Sequence, residues 1–264
     1  MKIENLPFEK FQGTGNDFII LDFFEFEFLD LHQHEFIERM CDRRFGIGAD
    51  GLIAVCKEDG YDFRMKYLNS DGRFSTFCGN GSRCASSYVA QKLNLKTLNF
   101  IAADGPHSAW IKDNFVSVKM QDIQNYEQTP FGPLIQSGSP HLIREVPNPS
   151  MVDVFTQGKK LRYDFSTEGA NINFVSNNNG FIQIATYERG VEDKTLSCGT
   201  GITASAYFYA VKNGVQGDIV QTIESEGGTL TVSLHLQGKI ATNVILSGPA
   251  EWVYSGFYPM NPIR

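Results

Sequence analysis

Apolar and polar residues alternate over short stretches through most of this chain, and long amphipathic runs are few. From Tyr61 to Leu68, Tyr61, Phe63, Met65 and Tyr67 alternate with Asp62, Arg64 and Lys66, the period of two that marks a strand with one buried face. Strands are expected likewise over Phe8 to Phe11, Asp17 to Leu21, Val116 to Met120, Ile172 to Val175, Phe181 to Tyr187, Ile219 to Ile223, Leu230 to Leu236 and Ile240 to Leu246, and near Phe100 and Trp110. Three segments have helical spacing. One is expected from about Leu31 to Arg43, with Asp30 as N-cap, Gln33 completing a capping box, and Ile37, Met40 and Cys41 on one face. A second follows Cys78 and carries Ala85, Tyr88 and Val89; a third follows Cys198, carries Ile202, Ala206, Tyr209 and Ala210, and stops at Gly214. The class is α/β of the α+β kind, with strands outnumbering helices.

The chain repeats itself. A shift of 120 positions lays Phe77-Cys78-Gly79-Asn80-Gly81 on Ser197-Cys198-Gly199-Thr200-Gly201 and Tyr67 on Tyr187. In both halves a strand precedes the cysteine and an amphipathic helix follows it. Further on, Asp104-Gly105 and Glu226-Gly227 each lead into a hairpin, with a register change of two residues. Two pseudo-symmetric domains are therefore expected, the break falling in the polar stretch from Gln121 to Pro133.

Composition narrows the function classes. Of 264 residues, 42% are hydrophobic and 20% charged, which places the chain among globular proteins. The balance of 23 basic and 30 acidic residues leaves a net charge of −7, a field that repels nucleic acid and anionic lipid. No apolar run reaches the roughly 20 residues of a membrane span. Glu4 and Glu9 stand where a signal peptide would be apolar, so a cytoplasmic setting is expected. The five cysteines include no C-x-x-C pair, which argues against a disulfide scaffold or zinc ribbon.

The chemistry concentrates at two of those cysteines. A Gly-rich turn into a helix leaves the first backbone N–H groups unpaired, and the helix dipole adds positive character, so a carboxylate can dock there. A cysteine at the same helix start has its thiolate favoured over its thiol. If the halves face each other across a cleft, one substrate carboxylate can sit between two such starts, with a sulfur on each side of the adjacent carbon. Inverting a stereocentre needs a base on one face and an acid on the other, and a thiolate–thiol pair supplies both. Neither a metal nor an organic cofactor is required. A lone cysteine before a glycine turn is more often a small buried hydrophobe; two in register shift the balance toward catalysis. Cys41, Cys56 and Cys84 are assigned to packing, and the spacing of Cys78 and Cys84 is poor for a metal. His32 and His34, two apart on the expected helix, point apart and read as surface residues. Glu188-Arg189 reads equally well as a solvated pair at a strand end or as part of a site.

Seven ordered motifs carry a resemblance: Gly13-Thr14-Gly15-Asn16-Asp17-Phe18, Arg44-Phe45-Gly46-Ile47-Gly48-Ala49-Asp50-Gly51, Asn69-Ser70-Asp71-Gly72, Cys78-Gly79-Asn80-Gly81-x-Arg83-Cys84, Ser139-Pro140-His141, Tyr187-Glu188-Arg189-Gly190 and Cys198-Gly199-Thr200-Gly201. Over essentially its whole length the chain resembles the diaminopimelate epimerases, cofactor-independent enzymes that convert LL-diaminopimelate to the meso form. The resemblance implies two domains, each a strand-rich sheet wrapped around a central helix, with the active site between them. It implies a first domain of residues 1–121 plus 251–264 carrying Cys78, and a second of residues 122–250 carrying Cys198. Cys78 and Cys198 would be the acid–base pair. Gly79, Asn80, Gly199 and Thr200 would hold the reacting carboxylate, and Asn16, Asn69, Asn171, Glu188 and Arg189 would bind the other substrate groups. His141 and Glu188 match positions that tune the cysteines, and Tyr254 matches a position associated with a homodimer. Many members have Asn before the Pro-His pair and Gln at position 51. Here Ser139, shorter and without an amide fork, takes the first place, and Gly51 has no side chain to contribute.

The activity expected is epimerisation in lysine and peptidoglycan-precursor synthesis, with diaminopimelate as the small-molecule partner and no nucleic-acid or membrane partner. Another two-cysteine racemase, acting on proline or hydroxyproline, is the alternative; the Glu188-Arg189 pair and three asparagines favour a substrate with a second zwitterionic end. A thiol redox protein or an amino-acid binder retaining the fold is the alternative of a different class.

Overall fold

The alternation from Tyr61 to Leu68 forms a strand in which Phe63, Met65 and Leu68 are buried, and the other alternating runs behave alike. The computed structural model describes residues 4–166, 169–178 and 180–260. They divide into two units, one built from the chain up to Val118 and again from Pro249 onward, the other from Lys119–Gly248.

In the first unit, β1 (Asn5–Gly13) and β2 (Asn16–Phe23) form an antiparallel hairpin. Helix α1 (His34–Cys41) crosses to β3 (Gly51–Glu58), parallel to β2, and β3 pairs antiparallel with β4 (Tyr61–Asn69). Helix α2 (Gly79–Leu93) then leads to β5 (Thr97–Ala102), parallel to β4, followed by β6 (Gly105–Lys112) and β7 (Phe115–Lys119) as a meander. The second unit repeats the order. Its members are β8 (Tyr126–Thr129), β9 (Gly132–Gln136), β10 (Pro140–Glu145), α3 (Val154–Phe165), β11 (Asn171–Asn178), β12 (Phe181–Glu188), a short β13 (Asp193–Thr195), α4 (Gly199–Lys212), β14 (Gly217–Ser225), β15 (Gly228–Gln237) and β16 (Ile240–Pro249). Strand β10 is parallel to β11, and β12 to β14, as in the first unit. The last strand, β17 (Glu251–Pro259), returns to pair antiparallel with β1.

The two central helices explain their own sequences. Each touches strands of its own unit on every side, so α4 is buried from Gly199 to Ala210 and α2 nearly so from Gly79 to Ala90. A helix enclosed this way must be small or apolar all round, which corrects the expectation that the two would be amphipathic. Its hydroxyls must be satisfied internally, and Ser82, Thr203 and Ser205 bond back to the carbonyls of Gly79, Gly199 and Gly201 at 2.9, 2.9 and 2.7 Å. Both helices end alike: Val215 N–H reaches Ala210 O at 3.1 Å and Leu95 N–H reaches Ala90 O at 3.0 Å, around a left-handed Gly214 in one case and Asn94 in the other.

Three further expectations are corrected. The first helix begins at His34, because Asp30 spends its Oδ1 on His32 N–H at 3.0 Å and its carbonyl on Gln33 N–H at 3.1 Å, closing a turn ahead of the helix. Gln33 is the N-cap, without a side-chain capping bond. Helix α3 was not foreseen. Its signals are an Asp153 cap, accepting from Thr156 N–H at 3.1 Å, and a Gly158 at which a Cβ would lie 2.4 Å from Tyr187 Cβ. That glycine, needed for close packing, interrupts the apolar stripe by which a helix is recognised. In the hairpins, Ala102 pairs with Gly105 and Ser225 with Gly228, so the counterpart of Gly105 is Gly228 rather than Gly227. Among the described residues no helix is long and apolar enough to cross a membrane.

Candidate active site

Strand β4 and the turn after it deliver Cys78 to the start of α2, and β12 with its following loop delivers Cys198 to the start of α4. Each cysteine is the N-cap, with extended backbone at φ −125°, ψ 112° for Cys78 and φ −119°, ψ 106° for Cys198. The amides of Gly79, Asn80 and Gly81, and those of Gly199, Thr200 and Gly201, occupy the first turns, where N–H groups lack intrahelical acceptors. Gly81 N–H donates to Cys78 Sγ at 3.4 Å.

Around Cys78 the side chains are polar and charged. Asn16, first in β2, places Oδ1 3.8 Å from Cys78 Sγ and 3.3 Å from Asn80 Nδ2. Its amide nitrogen donates to Asp50 Oδ2 at 2.6 Å, which fixes the carbonyl toward the cysteine. Arg43 joins Asp50 to Asp17 at 2.7 and 2.6 Å, and the nearly buried Lys10 bonds Asp17 at 2.6 Å and the Gly48 carbonyl. Burial pushes the Asp17 carboxyl up, but Arg43 and Lys10 outweigh it and hold it below the usual carboxylate range. Arg83, wholly buried, donates to Asn80 Oδ1 at 3.0 Å and Thr14 Oγ1 at 3.3 Å, and that burial brings its pKa down to about 10. Asn69 ends β4 and caps the turn to Gly72, whose N–H donates to its carbonyl at 3.0 Å.

Around Cys198 the side chains are neutral and buried. Cys198 Sγ lies 3.5 Å from Thr200 Oγ1, which lies 2.8 Å from His141 Nε2; His141 Nδ1 lies 2.9 Å from Asn173 Nδ2. Burial drives the His141 pKa down to about 3, so it stands as neutral imidazole. Asn171, first in β11, donates to Pro140 O at 3.1 Å and accepts from Arg189 N–H at 2.9 Å. The Arg189 side chain is exposed and Glu188 is half-buried at the end of β12. Ser139 is half-buried ahead of β10, its carbonyl accepting from Ser137 N–H at 3.2 Å.

The first unit thus gathers Asn16, Cys78, Gly79 and Asn80, and the second gathers His141, Asn171, Cys198, Gly199 and Thr200. Tyr254 lies on β17, edge-on to Phe8 at 5.8 Å. Cys41, Cys56 and Cys84 are buried, and burial pushes their thiols up to about 12, 11 and 12, as suits packing residues. Sequence reasoning gave no role to Asp50 and Arg83, which stand in its motifs, and passed over Ser137, Asn173 and Thr186. Ser137 Oγ donates to the Thr200 carbonyl at 2.8 Å. Asn173 was within reach, since it stands two residues after Asn171 on one strand and so shares its face. Gly51 has no room for a side chain: a Cβ there would lie 2.7 Å from the Tyr67 ring. Among the described residues no three His, Cys, Asp or Glu side chains are grouped to hold a metal ion.

The fold recurs among solved structures. It matches a hydroxyproline epimerase from Agrobacterium vitis (TM-score 0.74, 12% identity, 97% of this chain and 93% of that one). It also matches a PhzF-family phenazine biosynthesis protein from Bacillus anthracis (TM-score 0.76, 13% identity, 98% and 100%). At such identities the likeness is one of fold. The family model described as diaminopimelate epimerase matches residues 8–124 and 134–253, and the chain belongs to that family. It is 43% identical over 251 residues to the diaminopimelate epimerase of Flavobacterium psychrophilum, covering 93% of this chain and 97% of the relative. To that of Chlorobaculum tepidum it is 36% identical over 256 residues, covering 92% and 98%.

Proposed function

We propose that this protein is a cofactor-independent isomerase that interconverts LL- and meso-diaminopimelate, with Cys78 and Cys198 as its acid–base pair. The observation that carries this reading is the matched pair of N-cap cysteines, each heading a buried helix whose first turn begins with glycine-rich backbone amides. One thiolate removes the α-proton and the other thiol returns a proton to the opposite face; in the reverse direction they exchange roles. Charge developing on the α-carboxylate is held by the N–H groups of Gly79, Asn80, Gly199 and Thr200, worth about 3 kcal/mol per donor in favourable sites. Asn16, Asn69, Asn171, Glu188 and the guanidinium of Arg189 take the remaining amino and carboxylate groups, with Ser139 as a further contact. His141 and Glu188 adjust the cysteines.

The test is deuterium entry at the α-carbon of LL-diaminopimelate in heavy water. Incorporation is expected; labelling of proline without labelling of diaminopimelate would replace the substrate assigned. The reading extends to a place in lysine and peptidoglycan-precursor synthesis and to the cytoplasm, where thiols stay reduced. It also extends to a homodimer through β17, whose Trp252, Val253, Tyr254 and Phe257 are exposed in the single chain. Sedimentation of the intact chain and of a Tyr254→Ala variant measures that assembly: a dimer weakened by the substitution is expected, and a monomeric native chain rejects it.

A further inference from the structure

The hydroxyl of Thr200 has one proton to give and can accept others, so what Cys198 meets depends on what His141 does. A bare Nε2 would draw the hydroxyl proton to itself and leave only an oxygen lone pair facing the sulfur, which favours the thiol. A protonated Nε2 fills a lone pair instead and leaves the hydroxyl proton for Sγ, which favours the thiolate. The deciding partner is on the other side of the ring. Asn173, fully buried on β11, directs its amide nitrogen at His141 Nδ1 at 2.9 Å, and the carbonyl end of that amide is held by Thr186 Oγ1 at 2.9 Å. In this orientation of the amide its nitrogen can only donate, which leaves Nδ1 bare and puts the ring proton on Nε2. Asn171 gives one amide proton to Pro140 O at 3.1 Å, and its nitrogen stands 3.4 Å from Nε2, well beyond the Thr200 hydroxyl at 2.8 Å, which is the partner Nε2 bonds. Gly201 makes the room, since a Cβ there would lie 2.6 Å from Asn173 Oδ1 and 3.3 Å from the imidazole.

We propose that Asn173 and Thr186 are positioning residues that lock His141 as its Nε2–H tautomer and so turn the Thr200 hydroxyl proton toward Cys198. The lock keeps a neutral ring from flipping roles: burial opposes its protonation, and Arg189, the charged group acting on it, opposes it too. Cys198 then faces a side-chain donor, whereas the side chain facing Cys78 is the Asn16 carbonyl, an acceptor, and its donor is the Gly81 backbone N–H. The consequence for turnover rests on the proposed epimerase reading; the tautomer does not.

Nitrogen-15 NMR of the substrate-free full chain, labelled at histidine and with the signal assigned through His141→Gln, reads the tautomer directly. A neutral ring protonated at Nε2 is expected, and protonation at Nδ1 overturns the proposal. Asn173→Asp offers Nδ1 an acceptor; it should move the proton to Nδ1 and lower the α-deuterium exchange rate about tenfold, the scale of one lost hydrogen bond to a charged group. Thr186→Val should lower exchange and Thr186→Ser restore it. A moved proton with an unchanged rate would reject the coupling to Cys198. Native protein with the Nε2–H tautomer but no exchange of diaminopimelate would reject the substrate assignment while upholding the lock.

Discussion

The two helix starts share a backbone and differ in electrostatics. Their cysteines have φ and ψ within a few degrees of one another, and glycines stand at the same places in the following turn. Around Cys78, however, lie an ion-pair network anchored on Asp17 and Asp50 and a buried guanidinium; around Cys198 lies a chain of neutral groups running through His141. The difference teaches that the repeat preserves the main chain at the two helix starts, the part that the proposed mechanism uses to present N–H groups to a carboxylate. It leaves the side chains free to specialise. The proposed epimerisation, running both ways across one carbon, would need equivalent donors but would tolerate two unlike sulfur environments.

The largest effect on that comparison comes from removing either sulfur. Cys78→Ala and Cys198→Ala should each lower α-proton exchange at least about a hundredfold, the scale of a lost acid or base, while circular dichroism stays native. A variant that keeps its rate removes that cysteine from the chemistry. Acid should expose the second unit through His141. Its folded pKa is depressed, so the unfolded chain binds the proton first and stability falls as pH drops below the unfolded value of 6.5, continuing until about 3. At pH 5 the loss from this group is about 2 kcal/mol, and urea titrations at pH 7 and pH 5 should show the difference shrinking in His141→Gln.

Glycine substitution sharpens the contrast further. Gly201→Ala drives a Cβ to within 2.6 Å of Asn173 Oδ1 and should cost about 1–3 kcal/mol, whereas Gly81→Ala meets Ile53 Cδ1, a yielding methyl, at 3.0 Å and should cost less than about 1 kcal/mol. Equal thermal shifts would mean the two turns are equally packed. The smallest effect is Asp50→Ala. It frees the Asn16 amide and should raise KM severalfold, yet change stability by only a few tenths of a kcal/mol, because the Arg43–Asp50 pair is substantially exposed. A KM equal to that of the native chain would show that Asn16 needs no such support.

Much of this was legible before any coordinates. The 120-residue offset between Cys78 and Cys198 also relates His34 to Val154, where α1 and α3 begin. Helix α3 still escaped notice, since Gly158 packs through the absence of a side chain. The relay residues escaped for another reason: Asn173 and Thr186 are ordinary strand residues until β11 and β12 pair them.

What the sequence determined by itself is the local grammar: strands from period-two alternation, two helices after the paired cysteines, and cysteines at glycine-rich helix starts. These follow from forces acting within a few residues, together with a repeat that shows by self-comparison. Only the tertiary structure decided which donor each sulfur meets, because hydrogen bonds among Cys198, Thr200, His141, Asn173 and Thr186 span segments distant in sequence. Burial then gives those bonds their direction, by excluding the water that would otherwise satisfy either tautomer.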